Sequence, residues 1–268
     1  MRRPVAGLGD GDSFSDWYKG LPLVTKVLTT SAVLTAAMAS FGIINEMHFA
    51  FLFPLIVKKF HFWRLIAPFL YAGPFSFPFA MHTFILYENC KRYEENPFNT
   101  GGGGNSSDFL FMILFGMALL IILAYFFDLF NMSEPLLYMF MYVWSRKNPE
   151  TISNIFGFKF KAIYLPWAYI VIRVLMGGQP TMPLMGIAVG HIYYFIINVL
   201  PDSHGYDLLR TPNFCVDIVR WYTGISGVAA PGVGRAPAAD PNAANAPGRF
   251  PSMGAGHNWG RGRALGTS

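Results

Sequence analysis

The sequence predicts an all-α polytopic membrane protein, and three observations carry that prediction. Hydrophobic residues make up 53% of the 268 and charged residues only 13%, about half the charged share of a soluble domain. Apolar segments recur up to residue 200, and residues 109–127 run without a charge, close to the roughly 20 residues that a helix needs to cross a bilayer. The Lys and Arg residues collect in alternate connections, as the positive-inside rule demands of a chain threaded back and forth.

Residues 1–20 read as an N-terminal interfacial segment, because Asp16, Trp17 and Tyr18 stand just before the first apolar run. This segment lacks an apolar core and a small-residue cleavage site, so no cleaved signal peptide is expected and the first span directs insertion. Residues 23–44 are that span, with Lys26 near enough to its edge to reach the headgroups. Residues 45–67 are too polar for a span and too aromatic for a solvated loop. Within them, Trp63 and Arg64 suit an interfacial anchor or an ordinary aromatic-belt pair.

The second span, 66–87, contains Pro68, Gly73, Pro74 and Pro78, so it is bent or begins late, near Phe75. Residues 88–108 carry five charges before the glycine run 101–104 and read as a flexible solvent loop. The third span is 109–127. The fourth apolar segment, 135–145, stops at Arg146 and Lys147; either it extends back through Leu129 and Phe130, across Glu134, or it sits in thinned membrane. A basic loop, 146–161, leads to a fifth span at 162–176, where Arg173 is close enough to the end to snorkel.

The sixth span, 183–200, reads PLMGIAVGHIYYFIINVL. Gly186 and Gly190 are four residues apart and share one helix face, where the missing side chains let another helix approach closely. His191 stands at the edge of that face, either as a polar clamp between helices or as a base.

Six spans put both termini on one side. All 20 Lys and Arg lie on that side except Lys58, Lys59 and Arg64 in the first opposite loop and Arg173 within the fifth span, which makes the terminal side cytosolic. The chain then divides into a membrane domain at 21–205, a juxtamembrane segment at 206–222 and a tail at 223–268. Gly, Ala and Pro dominate the tail, which is expected to be disordered. Its end, HNWGRGRALG at 257–266, sets an aromatic and a leucine among glycines, as in a short motif that orders on a partner.

Chemistry is scarce. Cys90 and Cys215 are far apart and show no metal-ligand spacing; no cofactor and no nucleic-acid partner is implied. There is no P-loop, GxGxxG, HExxH or paired-carboxylate motif. The tetrapeptide Gly224-Ile225-Ser226-Gly227 has the form of an intramembrane protease motif but falls beyond the last span, where nothing holds its serine against a base. A transporter with Arg173 in its path lacks detectable inverted-repeat symmetry.

Several stretches resemble the derlin family of rhomboid-like pseudoproteases in endoplasmic-reticulum-associated degradation. They are Trp63-Arg64, residues 84–89, Asp108-Phe109-Leu110-Phe111, FGFKFKAIYLPW at 156–167, residues 186–191 and LRTPNF at 209–214. The resemblance implies a six-transmembrane rhomboid-like fold with a disordered C-terminal tail. It implies a non-catalytic component of the endoplasmic reticulum membrane, with cytosolic termini, that thins the bilayer and helps misfolded clients reach the cytosol. A membrane ubiquitin ligase complex and homo- or hetero-oligomers belong to the same picture. Trp259, Gly260, Gly262, Leu265 and Gly266 match the family motif that binds a hexameric AAA+ segregase, although Ala264 stands where a basic residue is common. Active rhomboids carry their histidine three residues before the first glycine of the sixth-helix GxxxG. Pro183 occupies that position here, and residues 136–144 contain no serine, so the competing reading, a rhomboid-type serine protease, loses both partners of its dyad.

Overall fold

In the computed structural model, residues 14–155, 158–204 and 209–224 are described; the tail motif at 257–266 and most of the N-terminal segment lie outside them. The chain opens with a short helix α1 (Phe14–Lys19) and then α2 (Leu23–Ser40). Pro22 gives α2 no side-chain cap; the carboxylate of Glu94 supplies one from elsewhere in the chain, accepting from the Val24 and Thr25 N–H groups at 2.8 and 2.7 Å and from the Thr25 hydroxyl at 2.7 Å. A negative group at a helix N-terminus meets both the orphan donors and the positive end of the dipole.

Residues 41–76 are largely built from short pieces, among them α3 (Phe53–Lys59) and α4 (Ala67–Leu70). Helix α5 (Phe77–Glu94) begins at Ser76, whose hydroxyl accepts from the Phe79 N–H, with Pro78 in the first turn. The second apolar segment therefore starts late, and its helix runs seven residues past Tyr87. Asn89, Cys90, Tyr93 and Glu94, assigned by composition to a solvent loop, are buried on this extension. The glycine run is also ordered: it folds around the carboxylate of Asp108 in the first turn of α6 (Ser106–Phe127).

Helix α7 (Ser133–Lys147) is the centre of the molecule. Every residue from 135 to 145 is buried, the condition expected of a helix that is apolar all round. It starts at Ser133 and so does not extend back through Leu129 and Phe130; its shortness is accommodated because protein, not lipid, surrounds it. Strands β1 (Ile152–Ile155) and β2 (Phe158–Lys161) then pair antiparallel, Ile152 opposite Lys161, and among the described residues the rest of the regular structure is helical. Helix α8 (Leu165–Leu175) follows a tight turn at Ala162–Tyr164. Helix α9 (Thr181–Tyr194) passes through a wide turn, Phe195–Val199, into α10 (Leu200–His204). Helix α11 (Asn213–Thr223) comes last and ends at Gly224, whose φ of 65° closes it. Among the described residues, three helical stretches are long and apolar enough to cross a membrane: Leu23–Ser40, Ser106–Phe127 and Thr181–Ser203.

Candidate functional site

Among the described residues, the most extensive helix contact is the seam between α7 and α9. A side chain at Gly186 would overlap the Pro135 carbonyl oxygen and come within 2.9 Å of its carbon and 3.0 Å of its Cα. Gly190 is less confined, with the Met139 carbonyl oxygen and Tyr142 Cδ1 each 3.1 Å from a would-be Cβ. The two glycines thus seat the sixth apolar segment on the fourth. Beside them, His191 Nδ1 lies 2.7 Å from the Tyr142 hydroxyl, which also accepts from Arg146 Nε at 3.0 Å. With Arg146 donating to the oxygen, we assign the tyrosine proton to Nδ1 and the imidazole proton to Nε2. The hydroxyl bonded to His191 is therefore a tyrosine's, locked into a clamp between α7 and α9. Ser145, the serine nearest in sequence to Tyr142, is buried and donates to the Tyr142 carbonyl.

The Trp63-Arg64 pair divides into two roles. Arg64 is 4% exposed, and its Nη1 donates to the Met47 and Ala50 carbonyls at 2.6 and 2.7 Å. It ties two turns of the first loop together from within. Trp63 points outward, half exposed, and stacks on His61 with ring centroids 4.3 Å apart. Arg64→Ala should therefore leave two carbonyls without their donor and destabilise the loop by about 2 kcal/mol, whereas Trp63→Ala should stay within about 0.5 kcal/mol. Limited proteolysis of residues 45–67 measures the difference, and equal cleavage of the two variants would remove the clamp.

A third feature lies between α5, α7 and α8. A cavity of about 260 Å³ is lined mainly by apolar side chains such as Phe77, Met81 and Ile172, with Glu134 and Arg173 among them. Arg173 Nε is 2.6 Å from Glu134 Oε1. The arginine thus pairs across to the first turn of α7, where a carboxylate on the adjacent helix offers it a partner. Outside the membrane segments, Lys161 hydrogen-bonds Glu150 at 2.8 Å; that bond, reinforced by the carboxylate's charge, raises the lysine's pKa. Among the described residues, no three His, Cys, Asp or Glu side chains cluster to hold a metal.

Two buried carboxylates hold structural roles that no sequence motif states. Asp108 is wholly buried and accepts from Thr100 N–H and hydroxyl, Gly102 N–H, Gly104 N–H and the Thr211 hydroxyl at 2.5–3.3 Å. Asp108 had a local signal, since an acidic residue three after Asn105 fits a helix first turn. Glu94 had none, because its partners lie about 70 residues earlier in the chain. Trp259, Gly260, Gly262, Leu265 and Gly266 lie outside the described residues.

Comparison with known proteins gives one consistent result. Residues 21–213 match the model of the Der1-like family. The chain is 36% identical over 211 residues to Derlin-2.2 of Arabidopsis thaliana, covering 74% of this chain and 85% of that protein. It is 34% identical over 214 residues to the probable derlin-2 homolog of Dictyostelium discoideum, covering 77% and 83%. Against Derlin-1.1 of Zea mays the identity is 33% over 208 residues, covering 76% and 84%.

Proposed function

Since this chain belongs to the Der1-like family, the derlins, we propose that it is a non-catalytic membrane component of endoplasmic-reticulum-associated degradation. In this reading a six-span core with cytosolic termini eases misfolded clients across a locally thinned bilayer. The C-terminal tail recruits a hexameric AAA+ segregase that pulls from the cytosol. A membrane ubiquitin ligase complex and further copies of the chain or its relatives complete the assembly.

The observation that supports thinning is the length of the fifth apolar segment. The stretch Ala162–Leu175 has 14 residues and rises about 21 Å, against a hydrocarbon core of roughly 30 Å. Unlike α7, it presents apolar side chains outward: Val171 is 57% exposed and Leu175 81%. A short helix facing lipid draws the bilayer thinner around it, and a thinner core lowers the barrier for polar chain to cross. The clamp of His191 on Tyr142 favours scaffolding over proteolysis, because the imidazole's Nδ1 is already committed to a tyrosine.

The tail is tested in cells that degrade a misfolded lumenal client. Trp259→Ala with Leu265→Ala should abolish capture of the segregase by the full-length protein and slow client loss, with membrane insertion unchanged. Trp63→Ala should slow client loss while capture persists. Undiminished capture by the tail variant would take the tail out of the mechanism. Client fragments that vanish on His191→Ala would replace the scaffold reading with the protease.

A further inference from the structure

The segment leading into α11 is held at one end of a helix long and apolar enough to cross a membrane. Thr211 donates to Asp108 in the opening turn of α6, and its N–H bonds the Thr100 carbonyl at 2.7 Å. Cys215, one turn on, is fully buried beside the same site. Because Ser106–Phe127 is long and apolar enough to cross the bilayer, its N-terminal end marks a membrane–water boundary. Helix α11 therefore begins at that level.

At about 100° per residue, nine of its eleven side chains fall into three sectors, with Val216 and Thr223 on the boundary between the first and the polar one. Cys215, Val219 and Tyr222 share one, and Cys215 marks it as the side toward α6. Asn213, Asp217 and Arg220 form a polar sector, with Asp217 and Arg220 3.9 Å apart. Between these lies a second apolar sector, Phe214, Ile218 and Trp221, respectively 52%, 50% and 85% exposed. The apolar arc is thus about twice as wide as packing on the protein uses. Its outer half carries the Trp and Phe chemistry of the headgroup boundary.

We infer that α11 is an in-plane anchor whose Phe214–Ile218–Trp221 ridge docks into the lipid leaflet at the N-terminal end of α6. The Asp108–Thr211 bond sets the depth of its first turn. Gly224 ends the helix. The inference needs no particular client or ATPase.

The test uses the full-length protein, one copy per phospholipid nanodisc, with lipids brominated high on their acyl chains. The chain has 6 Trp, so the signal of Trp221 is taken as the difference between wild type and Trp221→Phe. Bromine should quench that difference signal by about twofold or more, the expectation for an indole at the headgroup boundary. Phe214→Glu with Ile218→Glu should abolish the quenching while buried Cys90 stays unreactive to a thiol dye, showing an intact core. An unquenched Trp221 in the wild type would overturn the inference and assign the ridge to a protein partner or a second copy. Quenching that survives the double substitution would overturn it too, because the ridge would then not be what holds the helix down.

Discussion

Gly186→Ala is expected to destabilise the membrane core by at least about 3 kcal/mol, among the largest effects of any single methyl in this protein. The added Cβ would meet the backbone of Pro135, not a side chain that could swing away. Proline's ring fixes its own φ, and the carbonyl lies in the first turn of a helix buried on every side, so neither partner gives. The two helices must separate, which would open the Tyr142–His191 bond as well. Gly190→Ala offers an internal comparison. Its Cβ would stand 3.1 Å from its nearest neighbours, one of which is a tyrosine ring that can shift by tenths of an ångström. That substitution should cost about 1 kcal/mol. Cys90 and Cys215 are free and wholly buried, so a thiol-reactive dye reports unfolding during a thermal ramp in detergent. The Gly186 variant should label at a much lower temperature than wild type, and the Gly190 variant only slightly earlier. Equal midpoints for the two would mean that the seam is not what holds α9 in place.

The asymmetry between those glycines shows where sequence stops being informative. Their four-residue spacing announced a packing face, and the apolar runs announced α2, α6 and α9, because both signals are periodic and local. What faced Gly186 was not local: Pro135 lies some fifty residues away in sequence. The same reason explains why α5 outlasts its apolar run and continues to Glu94. Its final two turns carry Glu88, Lys91, Arg92 and Glu94, which by composition belong in water, yet Glu94 caps α2 and Arg92 pairs with Glu88 at 3.0 Å. The partner of Arg173, Glu134, is likewise distant in sequence and visible only in the packing. The brevity of 135–145 was visible, but its reason, burial on all sides, came only with the packing.

The glycine run 101–104 is the sharpest case, and Asp108→Ala is the substitution that exposes it. Four glycines in a row read as slack chain, since glycine loses the most conformational freedom on ordering. Here Gly101, Gly103 and Gly104 have φ of 105°, 97° and 70°, values open to glycine and strained for other residues, and the bent backbone turns N–H groups of Gly102 and Gly104 onto one carboxylate. No basic side chain is needed: these N–H groups, the hydroxyls of Thr100 and Thr211 and the N-terminus of α6 together satisfy the charge. Removing it leaves the N–H groups of Thr100, Gly102 and Gly104 without this acceptor, while the Thr100 and Thr211 hydroxyls, 2.6 Å apart, keep only each other, and should cost about 3–5 kcal/mol. Asp108→Asn keeps the shape but turns an amide donor toward the N–H of Gly104 or toward the donors shared on the other oxygen, at about 2 kcal/mol. The loss should also be local. Thr211 is the hinge between the node and α11, so Cys215 should become reactive to a thiol dye under native conditions while Cys90, on α5, stays protected. Simultaneous reaction of both cysteines would mean that Asp108 supports the whole core; protection of both would mean that α11 is held by something other than this carboxylate.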